Sequence, residues 1–165
     1  MAERTIIVDG FSKTYAMTGW RLGYGIMPVA LARVVELLVT HSVGSSAHFT
    51  QVAGVEALRG RQDDAQALIE SFHVRRDRVI SGLNAIPGIS CQRPQGAFYA
   101  FPNIRQLGLN SDVLADRLLR ETGVALLPGT AFGENGEGYL RLSYANSMEN
   151  LERALERIGR FVKNL

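Results

Sequence analysis

The sequence predicts an α/β fold in which a long helix connects two units. Three observations carry this prediction: two short apolar runs near the start, a long amphipathic stretch over residues 63–85, and strands that alternate with helices beyond it. Hydrophobic residues make up 46% of the 165 residues and charged residues 21%, so the chain can build a core and wholesale disorder is excluded.

The first part of the chain contains two predicted strands and two predicted helices. The runs over residues 5–8 and 22–27 are typical of buried strands. Residues 30–41 repeat their apolar side chains on one helical face, and a second helical stretch covers residues 49–59. Strands that are apolar on both faces belong to larger sheets, so these two strands predict the end of a bigger sheet.

The second part follows the long helix, which Pro87 and Gly88 close. Ser111 is predicted to cap a helix that ends at Gly123, and the last helix begins near Ser147. Four further strands are predicted between and beside these helices, at residues 89–91, 97–101, 124–127 and 139–143.

Composition argues against several classes of protein. The 18 basic and 16 acidic residues leave a net charge of +2, with no basic arm of the kind that binds nucleic acid. Cys91 is the single cysteine, so neither an intramolecular disulfide nor a cysteine-based metal site is predicted. The histidines lack metal-ligand spacing, and no apolar run approaches the ~20 residues that span a bilayer. We therefore expect a cytoplasmic protein without a metal, nucleic-acid or membrane partner.

The stretch over residues 9–24 combines an amine, a guanidinium and a hydroxyl. Lys13, one of two lysines in the sequence, lies in a polar loop just after a strand, where side chains reach the crevice at the strand ends. Arg21 opens the next strand, and a guanidinium can bind a phosphate dianion through two hydrogen bonds. Ser12 adds a hydroxyl. An amine for a Schiff base and an arginine for a phosphate are what a phosphorylated aldehyde cofactor requires.

Residues 12–24, Ser-Lys-Thr-Tyr-Ala-Met-Thr-Gly-Trp-Arg-Leu-Gly-Tyr, resemble the pyridoxal-phosphate lysine signature of the class I/II aminotransferases, a fold type I family that includes aspartate aminotransferase. The resemblance continues through three later motifs of that family, at residues 94–99, 127–133 and 138–144. It covers essentially the whole sequence, but only the C-terminal portion of the family's longer chain.

The resemblance implies pyridoxal 5′-phosphate as the cofactor. Lys13 would carry it as an internal aldimine and act in catalysis, while Arg21 and Ser12 would hold its phosphate. Many family members have a hydroxyl residue three positions before the lysine, where this sequence has Gly10. Ser12 is therefore the candidate for that contact.

Arg141 would bind the α-carboxylate of the substrate, according to the same resemblance. The residue pattern agrees, because Leu140 and Leu142 face a core and the period-two alternation of a strand places Arg141 on the opposite face. An arginine on that face is free to line a cleft.

The resemblance also implies a domain organisation and an assembly. Residues 1–62 would be the C-terminal segment of the large cofactor-binding domain and would carry the Schiff-base lysine. Residues 63–165 would form the connecting helix and the small C-terminal domain. The full-length protein would be a homodimer.

The implied activity is transfer of an amino group between an amino acid, aspartate or another L-amino acid, and a 2-oxo acid. The alternatives are a pyridoxal-phosphate carbon–sulfur lyase on the same scaffold and a non-catalytic, aminotransferase-like effector domain of a regulator. No arginine occurs between Arg33 and Arg59, where some dicarboxylate-specific members place one, so aromatic and neutral amino acids stay open. In this family the acidic partner of the pyridine nitrogen precedes the lysine, so we expect the 165-residue chain alone to be inactive.

Overall fold

The computed structural model describes residues 2–165, and the chain divides into two compact units. Unit 1 runs to Ile69 and unit 2 runs from Glu70 to Leu165. The long helix α3 (Asp63–Asn84) is continuous across this division. Its first two turns fall within unit 1.

Unit 1 is a β-hairpin followed by two helices. Strand β1 (Ile7–Gly10) pairs antiparallel with β2 (Gly23–Ile26), and Ile7 lies opposite Ile26. Helices α1 (Val29–Ser42) and α2 (His48–Arg59) follow, so all four elements predicted from the sequence are present. Neither strand contains a buried residue, and Val8 is 79% exposed.

The buried part of unit 1 lies in the loop between β1 and β2 and beneath α2. Phe11 and Met17 of the loop are buried, and the Phe11 amide donates to the carbonyl of Leu22 at 3.2 Å. Helix α2 packs on this loop through Gly54, where a Cβ would collide with the side chain of Leu22. Thr50, one turn earlier, is also buried. The loop therefore has a fixed base on α2.

Unit 2 contains a three-stranded antiparallel sheet and three helices. The strands are β3 (Tyr99–Ala100), β4 (Leu127–Pro128) and β5 (Leu140–Ser143), in the order β3-β5-β4 with β5 at the centre. Helices α4 (Ser111–Thr122) and α5 (Met148–Lys163) join the larger part of α3 around a common core. Residues buried to 2% exposure or less draw on all three helices and the sheet: Val79, Leu83, Ile104, Leu114, Leu118, Leu140, Tyr144 and Ile158. The α/β fold predicted from the sequence is confirmed.

Three predicted strands of unit 2 are shorter than expected. The strand predicted at residues 97–101 is reduced to Tyr99–Ala100. In the other two, a side chain and a helix end take the backbone hydrogen bonds. The side chain of Asn84 bonds both the amide and the carbonyl of Cys91, at 2.7 and 3.0 Å. Residues 89–91 therefore form only an isolated bridge, from Ser90 to Asn103. The amide of Val124 donates to the carbonyl of Leu118 and completes the end of α4, so residues 124–126 do not join the sheet.

The cap of α4 also differs from the prediction. Asn110, one residue before Ser111, is the N-cap, and its side chain accepts the Val113 amide at 2.9 Å. Ser111 instead donates its amide and its hydroxyl to the carboxylate of Glu137, at 3.0 and 2.8 Å. Helix α5 begins at Met148, close to the predicted start near Ser147, and Ser147 caps it by accepting the amide of Asn150.

Candidate active-site residues

Lys13 lies in the β1–β2 loop of unit 1, on a backbone that the loop ties to itself. The amide of Met17 donates to the carbonyl of Phe11 at 3.4 Å, and the amide of Ala16 donates to the carbonyl of Lys13 at 3.3 Å. Phe11 and Met17 are buried, Ser12 is half-buried and Lys13 is exposed. The loop therefore holds its backbone through two buried side chains, while Lys13 itself is exposed.

Arg21 closes the same loop in a strained conformation. Its φ of 54° is in the left-handed region, which costs a non-glycine residue roughly 1–2 kcal/mol. Three non-glycine residues in the described part of the chain have a positive φ, and two of them, Ala16 and Arg21, lie in this loop. Arg21 donates a hydrogen bond to the carbonyl of Thr18 at 2.9 Å. Strain of this kind collects where a side chain must be aimed at a ligand.

An open cavity of about 550 Å³ lies beside Arg21 within unit 1. Trp20, Ser46, Phe49 and Thr50 also line it, and the rings of Trp20 and Phe49 are 6.4 Å apart. A guanidinium together with hydroxyl groups suits an anionic group such as a phosphate. Lys13 and Ser12 do not line this cavity, although they belong to the same loop as Arg21.

The base of the loop carries a second polar contact that the sequence did not single out. The hydroxyl of Tyr24 in β2 donates to the carboxylate of Asp9 in β1 at 3.4 Å, and the ring of Tyr24 packs edge-on against Phe11. Burial, with the nearby Asp9 carboxylate, raises the pKa of Tyr24. This pair joins the two strands at the point where the loop begins and ends.

Arg141 occupies the middle of the unit 2 sheet. Leu140 and Leu142 are buried on either side of it in β5, while Arg141 is half-buried on the other face, which is the alternation expected from the sequence. Its guanidinium carbon Cζ lies 4.4 Å from the ring centre of Tyr99 and 4.2 Å from that of Phe132. Within residues 2–165, no carboxylate pairs with this guanidinium. Its charge is therefore available to an anionic ligand.

Sequence reasoning missed the two rings as partners of Arg141. Tyr99 lies opposite Ser143 in the β3–β5 register, so it shares the face of Arg141. Phe132 follows β4 in a short 3₁₀ turn over Gly129–Phe132. Both are aromatic positions of the motifs at residues 94–99 and 127–133, and the shared face of Tyr99 was the available signal.

The surroundings of Glu137 and Cys91 indicate structural roles for both residues. The hydrogen bonds from Ser111 lower the pKa of the Glu137 carboxyl group, so this acid anchors the turn before β5 to the start of α4. Burial raises the pKa of the Cys91 thiol, which disfavours the reactive thiolate. Within residues 2–165 there is no cluster of three metal-ligating side chains, and no helix is long and apolar enough to cross a membrane.

Comparison with known proteins identifies the family to which these motifs point. The sequence matches the family described as aminotransferase class I and II over residues 1–158. The chain belongs to the class I and II aminotransferases. Members of this family generally use pyridoxal phosphate.

Individual aminotransferases resemble the chain in both sequence and fold. An aspartate aminotransferase of Pyrococcus horikoshii is 43% identical over 158 residues, a match that covers 94% of this chain and 40% of that protein. The crystal structure of an aromatic aminotransferase from Pyrococcus horikoshii OT3 has a TM-score of 0.95 at 41% identity, covering 99% of this chain and 44% of that one. For the aspartate aminotransferase from Rhizobium meliloti the TM-score is 0.92 at 38% identity, covering 98% and 42%.

The chain therefore spans about two fifths of the length of the aminotransferases it matches. The expectation that it resembles an aminotransferase over part of the family's length is confirmed.

Proposed function

We propose that the full-length protein is a pyridoxal-phosphate-dependent aminotransferase that transfers an amino group between an L-amino acid and a 2-oxo acid. The observation that carries this proposal is the uninterrupted signature at residues 12–24, folded as one anchored loop that presents the amine of Lys13 and the guanidinium of Arg21. The aminotransferase names of the relatives favour amino-group transfer over β-elimination and over a non-catalytic effector domain.

The donor set of the loop fits the cofactor. The Lys13 amine suits a covalent link to an aldehyde, while the guanidinium of Arg21, with its adjoining cavity, and the Ser12 hydroxyl suit a phosphate. When bound, pyridoxal phosphate supplies an electron sink that stabilises negative charge at the substrate Cα.

Lys13 has two roles in this proposal. It would anchor the cofactor, and its freed amine would act as general base and then general acid, moving the proton between the substrate Cα and C4′ of the cofactor. An exposed lysine on a short loop whose backbone is tied to itself suits this double role.

Arg141 orients the substrate. Its guanidinium binds the α-carboxylate through two parallel hydrogen bonds. Within residues 2–165, no carboxylate forms an ion pair that would compete for this guanidinium. The names of the relatives divide between aspartate and aromatic substrates, so the proposal extends to the amino acid class and not to one side chain. We propose that the full-length protein is a homodimer and that it is located in the cytoplasm.

The test compares substitutions of Lys13 and Lys163 in the full-length protein. We expect Lys13→Ala to abolish transamination, and borohydride reduction with pyridoxal phosphate to mark Lys13 in the wild type, as read by peptide mass mapping. Lys163→Ala, at the exposed end of α5, is the matched control and should keep full activity. Transamination by Lys13→Ala at near wild-type rate would contradict the proposal.

A further inference from the structure

Arg141 is held between aromatic side chains that come from both neighbours of its strand. Strand β5 lies between β3 and β4 in the sheet. Tyr99 belongs to β3, and Phe132 ends the turn that follows β4, so the two rings approach the guanidinium from the two flanking strands. Both lie within the range of a cation–π contact, at 4.4 and 4.2 Å from Cζ.

The turn that carries Phe132 is itself fixed. Gly129 and Gly136 approach so closely that a Cβ on Gly129 would collide with the carbonyl oxygen of Gly136. The Gly129 amide donates to the carbonyl of Tyr139 at 2.8 Å, and the Thr130 hydroxyl donates to Asp112 at 3.0 Å. Phe132 is nevertheless 50% exposed, so its ring contributes little to the core.

We propose that Tyr99 and Phe132 are positioning residues that hold the Arg141 guanidinium ready for the α-carboxylate of the substrate. This inference rests on the proposed function. An arginine side chain has many rotamers, and ordering it at the moment of binding weakens the complex. Rings that attract the guanidinium before the substrate binds leave its N–H groups available to the carboxylate. A cation–π contact uses the charge or the planar face of the guanidinium and not its hydrogen-bond donors.

The effect should appear in substrate binding. A carboxylate clamp acts on the substrate and on the transition state alike, so weakening it raises KM and leaves kcat nearly unchanged. For Phe132→Leu in the full-length protein we expect KM for the amino acid to rise roughly three- to tenfold, with kcat within about twofold of wild type. Phe132→Tyr and Tyr99→Phe keep a ring and should retain a wild-type KM.

Arg141→Lys separates this inference from the proposed function. We expect Arg141→Lys to raise KM strongly. In an Arg141→Met background, which leaves no cation for the rings to attract, Phe132→Leu should have no further effect, because the ring acts through the arginine. Leu119→Ala is the control: Leu119 lies in α4 and is 52% exposed, about as much as Phe132.

The outcomes are distinguishable. An unchanged KM in Arg141→Lys would contradict the proposed role of Arg141 in binding the substrate carboxylate, and with it the positioning role of the two rings. A raised KM in Arg141→Lys, with wild-type KM in Phe132→Leu and Tyr99→Leu, overturns the positioning role and leaves the proposed function standing. Equal effects of Leu119→Ala and Phe132→Leu, or a full Phe132→Leu effect in the Arg141→Met background, also overturn it.

Discussion

The two units of the chain differ in how they use their apolar residues. In unit 2, three helices and a small sheet bury a continuous core, in which Leu83, Leu118 and Leu140 are nearly inaccessible. Among the large apolar side chains described in unit 1, Phe11 and Met17 are the buried ones, while Val8 and Val29 are 79% and 70% exposed. The comparison teaches that the lysine loop has a local anchor on α2, whereas its strands and α1 have little burial of their own.

Hydrogen exchange should show the largest difference between the units. Backbone amides open with a free energy set by the surrounding packing, so amides of β5 and α5 should exchange on the order of a hundredfold more slowly than those of β1 and β2. Hydrogen–deuterium exchange with peptide mass analysis of the 165-residue chain measures this directly. Equal protection of the two hairpin strands and the unit 2 sheet would contradict the comparison.

Truncation of matched leucines sharpens the same contrast. Leu118→Ala in α4 removes a side chain that is 1% exposed and should lower the free energy of unfolding by about 2–5 kcal/mol. Leu38→Ala in α1 removes the same atoms from a side chain that is 64% exposed and should cost less than about 0.5 kcal/mol. Urea denaturation followed by circular dichroism compares the two, and a similar cost at both positions would show that α1 is covered.

Helix caps give a smaller effect of the same kind. In unit 2, Asn110 and Ser147 cap α4 and α5 through their side chains, whereas Pro28 and Ala47 before α1 and α2 make no such bond. Asn110→Ala should cost about 1 kcal/mol, and Asn110→Ser should restore most of it. Thermal unfolding measures both variants. A cap that contributes nothing would leave Asn110→Ala at the wild-type melting temperature.

The smallest expected effect is the pH dependence of one ion-pair cluster in unit 2. Asp77 accepts hydrogen bonds from Arg93 and Arg76, which lower its pKa to about 2 from the ordinary 3.8. Because the pKa is lower in the folded state, the ionised Asp77 stabilises the folded state at pH values above its ordinary pKa. This contribution disappears as the pH falls from about 4 to about 2. The difference in unfolding free energy between wild type and Asp77→Asn should therefore shrink over that range. A constant difference would mean that the charge of Asp77 is not its source.

Sequence patterns predicted the parts of the fold that depend on local periodicity. The five α-helices of the described residues, the two strands of unit 1 and strand β5 lie close to their predicted positions, because each has a local pattern of apolar or capping residues. The pairing of the two unit 1 strands into a hairpin was not predicted. The family followed from a contiguous motif, which also placed Lys13 in a loop after the first strand. Arg21 was predicted to open the next strand but lies at the end of the loop, two residues before β2.

Long-range pairing was the part that sequence did not reveal. Asn84 and Cys91 are close in sequence, but nothing in their identities shows that an amide side chain replaces a strand partner there. The rings around Arg141 depend on the strand order β3-β5-β4, which no periodicity encodes. The face of Arg141 could thus be predicted, and its aromatic neighbours could not.

The aromatic surroundings of Arg141 also make it a reporter. Ring currents shield nuclei that lie over an aromatic face, and Arg141 lies over two rings, whereas Arg75, Arg105 and Arg117 each lie over one. Its Nε–H resonance should be displaced upfield from those of the other arginines. A carboxylate that arrives at the guanidinium would shift that isolated signal, so substrate occupancy could be followed at one atom without any label other than ¹⁵N.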